Sequence, residues 1–396
     1  MRISKGLILQ LFSGANIQRW NDKIRHVELT ELDKQAHKMM IAYVLGKDEQ
    51  DNPDFNWIEI IEGGIFDYLQ RTELTDIKPT ILDKIKENKD QYIKLNKWVF
   101  DRLNPVITPL GEDFKKRYRE YFKRDEESLS RKILNAAHYH ATSWEYDLIQ
   151  DINTKDTEAE DIRTSISKLQ DRYKDLKSIQ GLKNSPNLKT FIDLCGQLRF
   201  QLRWGHVRRL TRTSVLGHMF IVAILSYLCS CQTGICMRRR INNFFTGLFH
   251  DLPETLTRDI ISPVKGSVEG INKIVKEYEK EQMRTKIYSI IPSEWHSEMK
   301  MFAEDEFSDL VTIEGVMKST TPGEINKLFN DDIYNPRDGT LIKACDHLAA
   351  FTEAYLALVN GATAEEFQEA KHSLRDKYRN KNISRISFGS IYADFE

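Results

Sequence analysis

"HMFIVAILSYL", from His218 to Leu228, is the stretch that decides the fold class. Its apolar residues recur at the three- and four-residue spacing of an α-helix. The longer stretch "LIKACDHLAAFTEAYLALV", from Leu341 to Val359, has the same period, whereas alternating strand-like runs are scarce in the chain. The sequence therefore predicts an all-α fold.

Turn-forming residues mark the ends of these helices and the organisation of the chain. "NPRDG" (Asn335 to Gly339) precedes the second helix, and "SPNL" (Ser185 to Leu188) breaks the chain near its middle. A single apolar stripe between Glu158 and Gln180 predicts a helix that connects two halves. We expect a first domain at residues 1–150, a connecting helix at 151–190 and a second domain at 191–396.

The composition is that of a soluble globular protein. The chain has 396 residues, of which 40% are hydrophobic and 30% charged, and its formal net charge is -1. This balance gives no overall attraction to a membrane or to long nucleic acid. The five cysteines are odd in number and lie mostly in apolar helical patterns, which favours free thiols in a reducing compartment. No run approaches the ~18 apolar residues of a membrane span, so a cytoplasmic location is expected.

The first 150 residues resemble parts of the last 200, which predicts an internal duplication. Three pairs of segments occur in the same order in both halves. The first pair shares Arg-Trp, then His-Val, then a histidine that opens an apolar helix. The pairs are Gln18–Gly46 with Leu202–Leu228, Gly64–Ile77 with Gly247–Ile260, and Ile133–Glu145 with Leu341–Glu353. Chance similarity between amphipathic helices is the alternative for any single pair.

Four ionisable residues of the second half have the chemistry of metal ligands. His218, His250, Asp251 and Asp346 each lie at or near an end of an apolar helix, so three helices could bring them together. Imidazole and carboxylate ligands suit a divalent ion such as Mn, Co, Ni, Fe or Mg. Such groups are costly in an apolar setting unless charge and hydrogen bonds compensate them, and a metal ion would do so. The alternative is four unrelated polar residues at helix ends.

The order of these ligands resembles the H…HD…D pattern of the HD phosphohydrolase superfamily. Within that superfamily, the segments are most similar to those of the bacterial 5′-deoxynucleotidases, which act on nucleoside monophosphates. The likeness spans roughly Leu198 to Tyr378. It is carried by "RWGHVRRLTRTSVLGH" (Arg203 to His218), "HDLPETLTRDIISPVK" (His250 to Lys265) and "LIKACDHLAAFTEAYLALVNGATAEEF" (Leu341 to Phe367).

The resemblance implies an HD-domain helical bundle with one divalent metal ion held by His218, His250, Asp251 and Asp346. It also implies that Glu254 is the catalytic carboxylate, that Arg203 contacts the phosphate and that Trp204 crowds the sugar. Asp259 would help to position the substrate.

The same residues can be weighed on physical grounds. Glu254 follows Asp251 by about one helical turn, so it faces the same side and could orient a water molecule or handle a proton. Its alternative role is an ordinary exposed helix glutamate. Arg203 offers a planar fork that suits a phosphate group. Trp204 could stack on a base or sugar, or could belong to the core.

The first half departs from this pattern at the positions of the HD pair, the catalytic glutamate and the last metal-binding aspartate. His37 aligns with the first histidine, Asp67-Tyr68 replaces the HD pair, Arg71 replaces the glutamate and His138 falls where the last aspartate belongs. We expect a degenerate domain without metal. A variant site that uses His37, Asp67 and His138 is the alternative. Single-copy nucleotidases of this kind resemble subunits of a homodimer, so the chain is expected to form an internal pseudo-dimer that is monomeric or dimerises again.

The predicted function is removal of the 5′-phosphate from (deoxy)nucleoside monophosphates, with a small-molecule nucleotide as partner. The alternatives are a deoxynucleoside triphosphate hydrolase or a phosphodiesterase of the same superfamily, and a non-catalytic nucleotide-binding sensor. A charge-rich insertion from Gly266 to Asn335 is expected to shape the pocket mouth or a partner surface.

Overall fold

The computed structural model describes residues 2–123, 127–258 and 270–396. The chain divides into two compact units, Met1–Asn184 and Ser185–Glu396. Helices dominate both units, and the described strands form two short antiparallel hairpins. The prediction of an all-α fold is confirmed.

The helices of the first unit run from α1 to α9. They are α1 (Lys5–Ser13), α2 (Glu31–Glu49), α3 (Trp57–Leu74), α4 (Pro79–Glu87), α5 (Lys89–Ile107), α6 (Glu112–Tyr121), α7 (Leu129–Asp147), α8 (Ala159–Asp171) and α9 (Lys177–Asn184).

The second unit contains the remaining described helices and the described strands. The helices are α10 (Pro186–Gln197), α11 (Val215–Gln232), α12 (Met237–Phe249), α13 (Glu254–Thr257), α14 (Ile271–Gln282), α15 (His296–Ala303), α16 (Pro322–Lys327), α17 (Gly339–Val359), α18 (Glu365–Tyr378) and α19 (Phe388–Ala393). Strand β1 (Leu310–Ile313) pairs with β2 (Val316–Ser319), and β3 (Asn382–Ile383) pairs with β4 (Ile386–Ser387).

Helix α2 lies at the centre of the first unit and packs on α3, α7 and α9. Thr30 caps its start, because the threonine hydroxyl accepts a hydrogen bond from the backbone of Asp33. Helix α8, in the segment predicted to connect the two halves, packs Ile162 and Ile166 against a cluster of Leu29, Tyr146 and Ile149. Both α8 and α9 belong to the first unit.

Helix α11 has the corresponding place in the second unit, where it packs on α12 and α17. The hydroxyl of Ser214 caps its start by accepting from the backbone of Gly217. Every residue from Val215 to Ser230 is buried. A helix that is apolar all round is expected to be enclosed in this way.

The expectation that no segment approaches a membrane span is wrong for α11. By length and composition its 18 residues would qualify, with a mean hydropathy of 1.7. However, 89% of the segment is buried inside the protein. Its apolar character is that of a core helix, because neighbouring helices cover the faces that lipid would otherwise contact.

Helices α11 and α12 approach each other closely at Gly247. A Cβ atom at that position would lie 2.7 Å from the Cα atom of Ala223 on α11, so only glycine fits without moving the backbone. Gly247 is one turn before His250, which directly follows the end of α12. The close approach therefore brings the end of α12 beside the first turn of α11.

The charge-rich insertion contributes α15 to the core of the second unit, whereas its helix α14 has no buried residues. The ring of Phe302 on α15 stacks on that of Phe249, with 6.3 Å between centroids. Arg337 is fully buried and donates hydrogen bonds to the carbonyl groups of Met301, Asp305 and Ser308. These bonds hold the segment after α15 against the start of α17.

Candidate metal centre

Three helices bring His218, His250 and Asp346 together. His218 lies in the first turn of α11, His250 follows α12, and Asp346 projects from α17. One ligand atom from each residue lies within 4.8 Å of the other two. Among the described residues, this is the group of histidine, cysteine and carboxylate side chains with the geometry to hold a metal ion.

The hydrogen bonding of His250 leaves one ring nitrogen directed at this cluster. Its Nδ1 lies 2.9 Å from the carbonyl oxygen of Gly247. Because a carbonyl can only accept, Nδ1 carries the proton and the lone pair of the neutral ring is on Nε2. That Nε2 is buried and has no aligned hydrogen-bond partner among the described residues, although Asp251 Oδ2 is 3.2 Å away. A buried lone pair of this kind fits a metal ligand.

His218 is held between two carboxylates. Its Nε2 is 3.0 Å from Asp346 Oδ1, and its Nδ1 is 3.3 Å from Glu353 Oε1. All of its side chain is buried. A carboxylate behind a metal-binding imidazole fixes the ring orientation and makes the ring a stronger base. The environment of His218 therefore also fits a metal ion.

The charges of the cluster favour a cation at its centre. Burial by itself lowers the pKa of His250, but Asp251 and Asp346 beside it raise that pKa to about 9. Burial by itself would raise the pKa of Asp346, yet His218 and His250 hold it well below its ordinary value. Without metal, the site therefore keeps a proton on His250, which a divalent ion must displace.

Asp251 lies beside the three-residue cluster and is not a member of it. Its carboxylate is about one-fifth exposed, and Oδ2 is 3.8 Å from Nη1 of Arg203. Desolvation opposes ionisation of Asp251, but His250 and Arg203 lower its pKa below the ordinary value. The predicted fourth ligand is therefore an ionised group between the cluster and an arginine.

Arg203 and Trp204 are fastened to one buried carboxylate. Glu353 Oε2 accepts from Arg203 Nε at 3.2 Å and from the Trp204 indole at 2.9 Å, while Oε1 accepts from Thr213 at 2.8 Å. The Trp204 ring packs on Phe367, with 5.1 Å between centroids. The tryptophan thus has a packing role in the loop, and the arginine is held with its fork toward Asp251.

Glu254 opens α13, immediately after the HD pair, and is 7% exposed. Its backbone N–H donates to the carbonyl of Asp251, and its own carbonyl accepts from Gln201 at 2.8 Å. The glutamate is therefore buried beside the metal ligands, unlike an ordinary surface residue. Asp259 lies outside the described residues, as does Lys265.

Glu353 is the residue that sequence reasoning missed. It follows Asp346 by two helical turns, so the two carboxylates share one face of α17. That spacing was a usable signal, and so was its position at the end of a repeated segment, where the first half has Glu145. Phe307, from the insertion, was also missed, and its ring lies 6.1 Å from that of His250.

The first unit contains a loop built in the same way. We define the first Arg-Trp loop as residues 17–31 and the second as residues 201–215. In each loop the backbone N–H of the arginine donates a hydrogen bond to the carbonyl oxygen of the residue before the helix cap. The acceptor is Leu29 at 2.7 Å in the first loop and Thr213 at 3.0 Å in the second. Trp20 and Trp204 have positive φ angles of 55° and 56°. Glu145 accepts from Arg19 and Trp20 as Glu353 accepts from Arg203 and Trp204.

The first unit has a lysine where the second has its first histidine. Lys34 follows Arg19 at the same distance along the chain as His218 follows Arg203. Its ammonium group contacts His138 Nδ1, as His218 contacts Asp346. The expectation that His37 takes this place is wrong, because His37 is buried against Trp144, with 5.0 Å between ring centroids.

Asp67 of the first unit also forms an ion pair with a lysine. Lys38 Nζ lies 2.6 Å from Asp67 Oδ2, and the lysine side chain is fully buried. Burial lowers the pKa of Lys34, and the neighbouring Arg19 adds to this effect. Two of the three residues of the alternative site of His37, Asp67 and His138 therefore contact lysine side chains. Asp67 contacts Lys38, and His138 contacts Lys34.

Comparison with known proteins finds a domain match within the second unit. An HD domain is found at residues 195–375. A search of curated proteins found no match to the chain. HD domains bind divalent metals and are typically metal-dependent hydrolases, and the match supports a metal-dependent phosphohydrolase in general. The HD domain spans the histidine pair, Asp346 and Glu353, so the metal cluster lies within the matched region.

Proposed function

We propose that the HD domain is a divalent-metal-dependent phosphomonoesterase that removes the 5′-phosphate of (deoxy)nucleoside monophosphates. The observation that carries the proposal is the position of Arg203 beside the metal cluster. Its Nη1 is 3.8 Å from Asp251, and Glu353 holds its Nε. A guanidinium held in this way offers a planar pair of donors to a phosphate group next to the metal ligands.

His218, His250 and Asp346 would hold the metal ion, with Asp251 beside them. A bound divalent ion supplies an activated water and polarises a phosphoryl oxygen. Arg203 would bind the phosphate and stabilise charge that develops on its oxygens. Glu254 would accept or donate a proton at the side of the cluster, because its carboxylate is buried one turn after Asp251.

Phosphate release by metal-stripped protein tests this proposal. The substrates are ribo- and deoxynucleoside mono- and triphosphates, with Mn, Co, Ni, Fe or Mg restored in separate assays. We expect inorganic phosphate from the monophosphates with at least one metal, and none from a His250→Ala/Asp251→Ala variant. The matched control is His347→Ala, which removes a histidine next to Asp346 that bonds Tyr378 outside the cluster.

The same assay separates the other candidate functions. Release of tripolyphosphate would identify a triphosphate hydrolase, and cleavage of a diester substrate would identify a phosphodiesterase. A nucleotide sensor would bind metal and nucleotide without turnover in any arm. Glu254→Gln should keep metal binding and lose turnover, which separates catalysis from binding.

We also propose that the two units are copies of one ancestral domain and that the first is degenerate. The shared geometry of the two Arg-Trp loops supports this, including the paired hydrogen bonds of Glu145 and Glu353. The first unit would then have exchanged its metal ion for the ammonium group of Lys34. One metal ion bound per chain is the expected stoichiometry, and two would refute a metal-free first unit. A pseudo-dimer within the chain, alone or dimerised, remains our proposal for the assembly.

The cytoplasm is the proposed location. All five cysteines are free, and the Sγ atoms of Cys229 and Cys345 lie 4.0 Å apart without a disulfide bond. Free thiols in contact are the state expected in a reducing compartment. Localisation of the tagged full-length chain would test this proposal.

A further inference from the structure

The second Arg-Trp loop lines a pocket to which none of the three ligand residues of the metal cluster contributes. The pocket has a volume of about 930 Å³ and is lined by residues 202–210, Arg212 and residues 360–362. This volume lies within the range of about 300–1,000 Å³ typical of small-molecule sites. His218, His250 and Asp346 are not among its lining residues. The pocket is therefore a separate feature of the HD domain.

The lining is strongly basic. Four arginines and His206 contribute to it, and none of the lining residues is acidic. Arg209 is structural, because its Nη2 donates to the carbonyl of Arg203 at 3.0 Å and to Thr213 Oγ1 at 2.6 Å. Arg208 and Arg212 are exposed and form neither an ion pair nor a hydrogen bond with the described part of the chain. Two guanidinium groups are thus available to an anion.

The charge on this surface is poorly compensated. Burial lowers the pKa of Arg209, Glu353 opposes that effect, and the nearby charges of Arg203 and Arg212 lower the pKa further. An anion placed among these groups would relieve their mutual repulsion. Arginine is also the side chain best suited to bind phosphate through paired donors.

The first Arg-Trp loop provides an internal comparison. There Lys23 lies within 3.1 Å of carboxylate oxygens of Asp22, Asp156 and Glu158. Arg25 donates to Gln18 and to the carbonyl of Arg19. A loop with the same backbone bonds therefore forms with its cations paired within the protein. Counted from the Arg-Trp pair, the positions of Arg208 and Arg212 hold Ile24 and Glu28 in the first loop, so the fold does not require these two arginines. Their unpaired charges point to a ligand.

Apolar side chains lie beside the arginines. Leu210 is 81% exposed and Leu202 is 40% exposed, and Trp204 forms a half-buried part of the lining. An apolar wall next to a cationic one suits a molecule with a ring and a phosphate chain. Arg203 lines the pocket and also faces Asp251. A ligand here would therefore contact the arginine that lies next to the metal cluster.

We propose that this pocket binds a small polyanion with two or more linked phosphate groups, through Arg208 and Arg212. Such a chain of phosphates occurs in nucleoside triphosphates and in inorganic polyphosphate. Binding needs neither the metal ion nor turnover, so it can be tested separately from the phosphomonoesterase activity proposed above. Through Arg203, the bound polyanion would change the rate at the metal centre.

Calorimetric titration of the full chain tests the proposal after metal has been stripped and with chelator present. The probes are inorganic tripolyphosphate and, separately, adenosine triphosphate. We expect both to bind, and we expect Arg208→Ala/Arg212→Ala to weaken binding by about tenfold or more per arginine. The control Lys318→Ala/Lys327→Ala removes two exposed positive charges elsewhere in the same unit and should leave affinity unchanged.

The outcomes are distinct. Tighter binding of the nucleotide than of tripolyphosphate would assign the apolar wall to the base, and equal binding would assign the site to the phosphate chain alone. Wild-type protein that binds neither probe would overturn the proposal. It would also be overturned by an arginine variant that folds, as judged by its circular dichroism, and binds like wild type. Tighter binding of a single-stranded oligonucleotide than of either probe would replace the small ligand with nucleic acid.

Discussion

The two units contain Arg-Trp loops of the same construction, but the side chains beside the two loops differ. In the second, a buried glutamate holds Arg203 and Trp204 in front of His218 and Asp346. In the first, Glu145 holds Arg19 and Trp20, and the corresponding contact is between Lys34 and His138. The comparison teaches that the frame of loop, cap and buried carboxylate forms without a metal site. The chemistry depends on a few side chains placed on that frame.

The largest expected effect comes from giving the second unit the lysine of the first. His218→Lys would place an ammonium group between Asp346 and Glu353, where it can pair with both carboxylates and repel a divalent ion. We expect Mn binding to fall by at least about 100-fold and metal-dependent phosphate release to be lost, as measured by calorimetry and phosphate assay. The reciprocal Lys34→His should leave one metal ion per chain. Undiminished metal binding by His218→Lys would remove His218 from the ligand set.

A smaller effect is expected when the two buried glutamates are neutralised in turn. Glu353→Gln removes the charge behind His218, so Mn affinity should fall about 10–100-fold, in the range typical of residues that support a metal ligand. Glu145→Gln removes the equivalent hydrogen bonds in the first unit and should leave Mn affinity unchanged. Titration of both variants with Mn measures the difference. Equal losses of affinity would mean that Glu353 acts through stability alone.

Two glycines on corresponding helices provide a packing test. Gly247→Ala pushes against the backbone of Ala223, which cannot move independently, whereas Gly64→Ala meets only the flexible side chain of Met39. Each substitution gains about 1 kcal/mol of helix propensity, so the difference between them isolates the contact. We expect Gly247→Ala to be less stable than Gly64→Ala by about 2 kcal/mol in urea unfolding. A difference near zero would show that the α11–α12 approach can relax.

The smallest expected effect is a pH dependence confined to the first unit. Burial, with help from Lys34, lowers the pKa of His138 well below 6.5. Below pH 6.5 the unfolded chain therefore takes up a proton that the folded unit resists, and stability falls as pH falls, by at most about 1.4 kcal/mol per pH unit. Hydrogen exchange of α2 and α7 should report this loss, and His138→Asn should reduce it. An unchanged pH dependence in the variant would exclude His138 as its source.

The sequence predicted the helices and the metal ligands for related reasons. A period of 3.6 residues is visible in "HMFIVAILSYL", and His218, His250 and Asp346 stand out because few charged residues interrupt the core helices. Glu353 was overlooked because a glutamate in a long helix is usually exposed, and only α17 packing against the second Arg-Trp loop buries it. Residue type favours His37 as the counterpart of His218, whereas distance along the chain from the Arg-Trp pair identifies Lys34.

By itself, the sequence determined that the chain is helical and which residues of its second half have metal-binding chemistry. Both are local properties, set by the period of apolar residues and by side-chain type. Only the tertiary structure decided that Asp251 lies beside the three-residue cluster, that Lys34 takes the place of a ligand, and that Arg208 and Arg212 have no partner among the described residues. These features depend on distances between atoms that are far apart in sequence, and only packing sets such distances. An example is the close approach of α11 and α12, where a Cβ atom on Gly247 would lie 2.7 Å from the Cα atom of Ala223.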